Sequence, residues 1–387
     1  MQMAKPSLVI LGTRGIPASH GGFETFAEKL ALFLVRRGWH VAVYCQNEVT
    51  VVTERIRTSV WNGVELLHVD VASRGPKATL EFDWHCVRDA ARRDGVCLVL
   101  GYNGAVFLPY LRLAGRKVLT NMDGIEWKRP KWSLPVRAWF WINEWIAAWS
   151  SQRLVADHPA IADHVATRRS RSAIATIPYG GDPIPEAPEG PIRALGLEPD
   201  RYLTSIARIE PDNNILTMVK AFSRQRRTFK LVVLGTLLPD NPYHAAVRAA
   251  ASDEVMFPGA IFDAETLRSL RFHARAYLHG HTVGGTNPSL VEALWAGNAV
   301  IAHDNPFNRG TAGPQQTYFA DERTCEDRIA TAIADPIAMR AAGGAALARA
   351  AEHFDWTTIL TAYEAEIIAL GGYAGAPAGM AGSAVAR

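Results

Sequence analysis

Cysteine is scarce: Cys45, Cys86, Cys97 and Cys325 stand apart in 387 residues, with no CxxC and no Cys/His ligand spacing. That excludes a disulfide framework and a zinc centre of the usual spacing, and it suits a reducing, cytoplasmic setting. Charge of one sign is also scarce. A net charge of +3 without a long basic run gives no footing for nucleic acid, although it suits phosphate-bearing ligands or an anionic membrane surface. No stretch reaches the ~18 uninterrupted apolar residues of a membrane span. The opening MQMAKPSLVILG is too poor in apolar residues for a signal peptide. A DxD pair, a Walker GK[ST] and a GxGxxG are missing too, which disfavours metal-dependent transfer, an NTPase and an NAD enzyme. Asp263-Ala-Glu265, the nearest thing to DxD, reads as a helix cap.

What is present is an ordinary globular composition, 48% hydrophobic and 20% charged, over a length that suggests two domains. Ser7 to Leu11 is a short apolar run ending at Gly12, and Phe23, Phe26, Ala27, Leu30 and Leu34 then follow helical spacing up to Gly38. Further strands are expected at His40 to Tyr44, Val96 to Leu100 and Lys117 to Thr120, with helices between them. IPYGGDPIPEAP, within Ala173 to Pro188, breaks both periods and reads as an interdomain linker and hinge. The alternation restarts with strands at Tyr202 to Ala207, Lys230 to Leu234, Val255 to Phe257, Ala276 to Leu278 and Ala299 to Ala302. Helices are expected from Asn214, near His244, from Asp263 and from Pro288. The fold class is therefore α/β with two doubly wound, Rossmann-like domains and a cleft between them.

Chemistry concentrates where strands hand over to helices. The loop Gly12 to Gly22 leads into the first helix, where free N–H groups and the helix dipole favour an anion; a plain tight turn is the competing reading. A second such loop, His279 to Glu292, passes through Gly284, Gly285, Thr286 and Asn287 into a helix, so that two helix starts can face one pyrophosphate. Glu292 lies too far along that helix to cap it, and a carboxylate there can accept both hydroxyls of a ribose. Arg208 ends a strand at the carboxyl edge, where a fixed cation can stabilise a departing diphosphate; a surface salt bridge is the alternative. Asp123 and Glu126 follow the strand Lys117 to Thr120 and are expected to face the cleft, Asp123 positioning an acceptor hydroxyl or taking its proton. A turn-capping role before Gly124 competes with that reading. His279, His281 and His303 lie near the second loop, where one can touch a sugar, although core or loop histidines are the commoner case.

Several of these segments together resemble a known family. GHTVGGTNPSLVEALWAGNAVIAHDNP, from Gly280, is similar to the donor-binding region of retaining glycosyltransferases of family 4, which have the GT-B fold. LGTRGIPASHGGFETFAEKL, NMDGIEWKRPKW, ARIEPDNNI and GHTVGGTNPSLVEA resemble a bacterial subgroup of β-1,4-rhamnosyltransferases of cell-wall and capsule assembly. FDWTTILTAYE resembles the family's closing helix. The resemblance implies Gly21 and Gly22 beside the donor phosphates, Arg208 on the diphosphate and Glu292 on the ribose. It implies a nucleotide-diphosphate sugar, dTDP-rhamnose in the subgroup, as co-substrate without a further cofactor or metal, and a glycan or lipid-linked saccharide as acceptor. Two departures stand out. Gly284 occupies the place of the first of the family's paired glutamates, and Asn213 and Asn214 stand where the family has a lysine.

The expected layout is an acceptor-binding domain at 1–178, a donor-binding domain at 179–353, a helix at 354–370 crossing back to the first domain, and a disordered tail at 371–387. Six of the 11 tryptophans fall between Trp127 and Trp149, interleaved with Lys128, Arg129, Lys131 and Arg137. Trp127 to Arg137 suggests peripheral contact with the inner face of a membrane. Ile142, Trp145, Ile146 and Trp149 read as a buried helical stripe. A sugar-nucleotide epimerase and a non-catalytic nucleotide-sugar binder are the rival functions.

Overall fold

A computed structural model describes residues 6–18 and 21–373. Eight strands form the first sheet: β1 (Ser7–Leu11), β2 (His40–Glu48), β3 (Ile56–Trp61), β4 (Val64–Val71), β5 (Val96–Leu100), β6 (Lys117–Asn121), β7 (Arg153–Ala156) and β8 (Ile174–Thr176). Their order is β3-β4-β2-β1-β5-β6-β7-β8, parallel except for the β3–β4 hairpin. The second sheet holds β9 (Tyr202–Ile206), β10 (Lys230–Leu234), β11 (Val255–Gly259), β12 (Ala276–His279), β13 (Ala299–His303) and β14 (Thr317–Phe319). It is parallel throughout, in the order β11-β10-β9-β12-β13-β14. Central strands such as VCLVL are buried along their whole length, because helices cover both faces of a parallel sheet. In each sheet the strand order reverses beside the first strand, between β1 and β5 and between β9 and β12. The carboxyl ends at such a reversal leave a crevice that no crossover fills.

Helices of the first domain are α1 (Gly22–Arg36), α2 (Pro76–Ala90), α3 (Leu108–Leu113), α4 (Leu134–Ser150) and α5 (Pro159–Val165). The second domain carries α6 (Gly190–Ala194), α7 (Ile215–Ser223), α8 (Pro242–Ala249), α9 (Ala264–Phe272), α10 (Pro288–Trp295), α11 (Pro306–Ala312), α12 (Glu322–Ala334) and α13 (Pro336–His353), and α14 (Trp356–Gly371) closes the chain. The punctuation follows helix chemistry. Asn241-Pro242, Asn287-Pro288, Asn305-Pro306 and Asp335-Pro336 each place a capping oxygen before a proline that lacks the N–H the first turn cannot use. On α1 the expected stripe is buried at Phe26, Ala27, Leu30 and Leu34. Every strand foreseen is present; β3, β4, β7, β8 and β14 were not foreseen.

The segment at 173–188 does not begin as a linker, because Ile174–Thr176 completes the first sheet as β8. The crossing follows it, where Gly181 N–H donates to Phe354 O at 2.9 Å and Gly180 leaves room for the Trp356 ring. α14 then lies on the first domain. Glu364 accepts from Arg37 at 2.9 Å and from Trp39 Nε1 at 3.0 Å, and the Tyr363 hydroxyl accepts from Asn121 at 2.7 Å. Residues 371–373 finish this helix, with Tyr373 donating to Ser7 O; the rest of the expected tail, 374–387, lies outside the described residues.

α4 corrects the reading of the tryptophan-rich stretch. Ile142 and Trp149 are 47% and 59% exposed and leave the expected stripe, whereas Trp145 and Ile146 are partly buried and Ile146 packs against the core. The buried face instead carries Asn143, Glu144, Ala147 and Ala148. Asn143 accepts from Val106 N–H at 2.8 Å, and Glu144 accepts from Trp127, His164 and Arg168. Polar partners supplied by other elements therefore turn the helix over, and Leu134, Trp141, Ile142 and Trp149 face outward. Within Trp127 to Lys131 the side chains alternate: Trp127 and Arg129 are tied inward to Glu144 and Asp212, and Lys128 and Pro130 are exposed. Among the described residues no helix is long and apolar enough to cross a membrane.

Candidate active site

The crevice at the second sheet's reversal is built by the residues that leave β9 and β12. Arg208 follows β9 with its side chain 68% exposed, and His279-Gly280-His281 follow β12. They line a pocket of about 210 Å³ with Asn213 and the start of α10, Asn287 to Ser289. Arg208 also borders a larger pocket of about 780 Å³, walled by Ile209, Leu234, Tyr243, Ile261 and Phe262. A cation on the boundary between a polar pocket and an apolar one suits a ligand with a charged middle and a flat apolar end. One turn into α10, Glu292 is ion-paired with the buried Arg271 Nη2 and is not among the residues that line the two pockets. His281 Nδ1 lies 2.7 Å from Asn213 Oδ1. Burial first, then Arg129, bring the His281 pKa down to about 4, and burial also holds His279 well below its usual range. Both rings are therefore neutral at physiological pH.

Across the cleft, β6 delivers Asp123 in a left-handed conformation, φ 50°, with its N–H held by Asn121 Oδ1 at 2.8 Å. Tyr102 locks the same loop, its hydroxyl donating to Gly124 O and accepting from Glu126 N–H, both at 2.9 Å. Burial raises the Asp123 pKa to about 6, Glu126 adds like-charge repulsion, and Arg129, the Gly124 amide and Arg208 oppose them. Asp123 and Arg208 therefore share one electrostatic field from opposite walls. Glu126 is itself engaged, accepting from Arg129 Nε at 2.6 Å. Arg129 continues to Asp212 at 2.8 Å, and Lys131 reaches Glu210 at 2.9 Å, so two ion pairs join the domains beside the pocket.

The two glycine loops do meet. A Cβ on Gly22 would lie 3.2 Å from Pro288 Cγ, and one on Gly124 would lie 3.1 Å from Gly284 Cα. The starts of α1 and α10 thus face the same gap. Much of the first loop is satisfied internally, because Glu24 takes the Arg14 amide at 3.0 Å and Glu28 takes the Ala18 amide at 2.6 Å. Asp157, at the end of β7, accepts from Thr286 N–H at 3.1 Å, and its Oδ1 crowds the place a Cβ on Gly285 would occupy. Burial and the nearby Asp123 raise its pKa well above the carboxylate range.

Residues 192–348 match the family described as Glycosyl transferases group 1, and residues 5–182 match a domain of unknown function, DUF1972. No curated protein sequence matches the chain. The fold is similar to sucrose-phosphate synthase from Thermosynechococcus elongatus, TM-score 0.76 at 17% identity, over 96% of this chain and 100% of that one. It is similar to Anabaena HepE in complex with UDP and glucose, TM-score 0.74 at 16% identity, over 94% and 99%. It is also similar to the UDP-forming trehalose-phosphate synthase from Burkholderia xenovorans in complex with glucose-6-phosphate, TM-score 0.72 at 12% identity, over 93% and 99%. The chain has the GT-B fold, and its second domain matches the group 1 glycosyl transferases.

Within this GT-B cleft the residues singled out in the sequence take distinct places. Asp123, Gly22, Arg208, Gly284 and Asn287 border the gap between the domains. Asn214 is turned away to Gly280 O at 2.9 Å, and it is Asn213 that walls the pocket. Gly285 and Thr286 are covered by Asp157, and Gly21 lies against Glu24. His303 binds Asn305 outside the pocket. Asp157, Asp212, Lys131 and Glu210 were not singled out as site residues, because their partners lie 79 to 129 residues away and no local spacing marks such pairs.

Proposed function

We propose that this GT-B chain moves a sugar from a nucleotide diphosphate to a saccharide acceptor without a metal ion and with retained configuration. The observation that carries the reading is Arg208, set between an apolar pocket wide enough for a nucleobase and a polar pocket at a helix start, opposite Asp123. The diphosphate lies against Arg208 and the starts of α1 and α10, Glu292 holds the ribose, and the base enters the apolar pocket. The acceptor oxygen bonds to the anomeric carbon on the face from which the diphosphate departs, as the carbon–oxygen bond to phosphate breaks and its electron pair leaves with the diphosphate, and Asp123 takes the acceptor proton. Its raised pKa makes it a better base than a solvated carboxylate, and Glu126 contributes by repulsion. The subgroup resemblance favours dTDP-rhamnose as donor.

The acceptor in this reading is lipid-linked, and the enzyme works at the inner face of a membrane. The outward stripe of α4 supports that contact: Arg168 lies 4.6 Å from the Trp145 ring and Arg169 5.2 Å from Trp149, a basic and aromatic surface suited to anionic headgroups.

A thermal-shift series with dTDP, UDP and GDP tests the donor site, because a ligand that binds only the native state raises its apparent stability. A selective rise with one nucleotide supports the reading, and no rise with any of them refutes it.

A further inference from the structure

The first sheet has its own crevice, at the reversal between β1 and β5. There Gly12 and Gly101, both with positive φ, lead the chain away from the strand ends over a cavity of about 200 Å³. Thr79 and Asp83 of α2 line it, facing Asn103, Arg14, Glu24 and Gln46. Asp83 is out of place by the ordinary rules for carboxylates. Its Oδ2 lies so close to Gly104 that no Cβ fits there. Burial alone acts on the Asp83 carboxyl and raises its pKa to about 7; among the described residues no cation or hydrogen-bond donor offsets it. Asp83 is only partly buried, so its carboxyl stays open to the cavity, where a ligand that brings hydroxyl donors can take the place of water.

The cavity adjoins the start of α1. Arg14, Glu24 and Gln46 also line the adjoining pocket that contains Gly21 at the start of α1. Gly101, at the cavity's edge, donates its N–H to Asn121 O at 3.0 Å, and Tyr102 next to it holds Gly124 O. The polar wall holds two carboxyl groups, Asp83 and Glu24, against one cation, Arg14. That balance accepts hydroxyl donors and opposes a phosphate group, whose ~1.5 to 2 negative charges would need further cations.

Resting on the transfer reading above, we propose that the Asp83 cavity is the acceptor subsite and that it takes an uncharged pyranose through hydroxyl donation to Asp83, not a sugar phosphate. This sets the chain apart from a neighbour of the same fold whose structure contains glucose-6-phosphate.

Saturation-transfer NMR with methyl α-L-rhamnopyranoside, methyl β-D-glucopyranoside and glucose-6-phosphate tests it, with dTDP and UDP followed in the same samples. The expected result is a signal from at least one neutral glycoside and none from the phosphate. Asp83→Leu abolishes the glycoside signal, the isosteric Asp83→Asn retains part of it, and nucleotide binding is unchanged in both. An undiminished glycoside signal in folded Asp83→Leu, equal or better binding of glucose-6-phosphate, or silence from both glycosides overturns the proposal. Loss of nucleotide binding in the wild type, with glycoside binding intact, defeats the donor reading alone.

Discussion

Arg129 crosses the cleft to Asp212, Nη1 to Oδ2 at 2.8 Å, with side chains 10% and 1% exposed. Burial pushes the Asp212 pKa up, yet the Arg129 hydrogen bond and charge prevail and hold it below the usual carboxylate range. Arg129→Ala leaves that carboxylate buried and unpaired, and removing one member of such a pair costs about 3–5 kcal/mol. Urea unfolding of the variant is expected to show that loss. The pair's contribution is full above the unfolded carboxylate pKa, ~3.9, and fades as the pH falls through the lower folded value.

Asp123 predicts the activity profile. With its pKa at about 6, kcat/KM rises with pH below that value and levels above it as the base loses its proton. Asp123→Asn removes this limb and lowers kcat by about 10²–10⁴. Glu126→Gln removes a like charge and moves the midpoint to lower pH, which a pH series on the purified enzyme measures.

Glu292 and Arg208 separate binding from turnover. Glu292→Gln weakens nucleoside diphosphate binding by about 10- to 100-fold, the scale of a hydrogen bond to a charged group. Arg208→Ala is expected to act mainly on kcat. Calorimetric titration beside steady-state kinetics distinguishes the two.

Asp83 carries a signature in stability. A carboxyl whose folded pKa is raised stabilises the fold fully below its unfolded value, and that contribution is lost as the pH rises through the folded value, about 7. Asp83→Asn removes the titration, so its Tm exceeds the wild type's at pH 8 and matches it near pH 4.

On α4, Trp141→Ser with Trp149→Ser removes two outward rings without touching the buried Asn143 and Glu144. Sedimentation with phosphatidylglycerol vesicles is expected to fall severalfold while Tm is unchanged; equal sedimentation removes α4 from the membrane contact.

Much of this architecture was legible because parallel strands are short apolar runs and the helices open on Asn-Pro or Asp caps. The β3–β4 hairpin escaped because β3 is largely exposed and mixed in character, although Asn62-Gly63 carries the expected turn signal with both φ positive. Periodicity marked the apolar stripe of α4 but not its direction, which depends on partners for Asn143 and Glu144 contributed by other elements. In the cleft, strand-to-helix loops announced Arg208, Asp123 and Gly284. Asp157 and Asp83 did not stand out, since a lone aspartate gains meaning only from what surrounds it after folding.

The central claim is most directly tested by nucleoside diphosphate release from dTDP-rhamnose, UDP-glucose and GDP-mannose, with wild type and Arg208→Ala side by side. The account predicts hydrolysis or transfer from one donor by the wild type and a rate about 10²–10³-fold lower in the variant. No release from any donor by the wild type, or equal rates in both proteins, would contradict it.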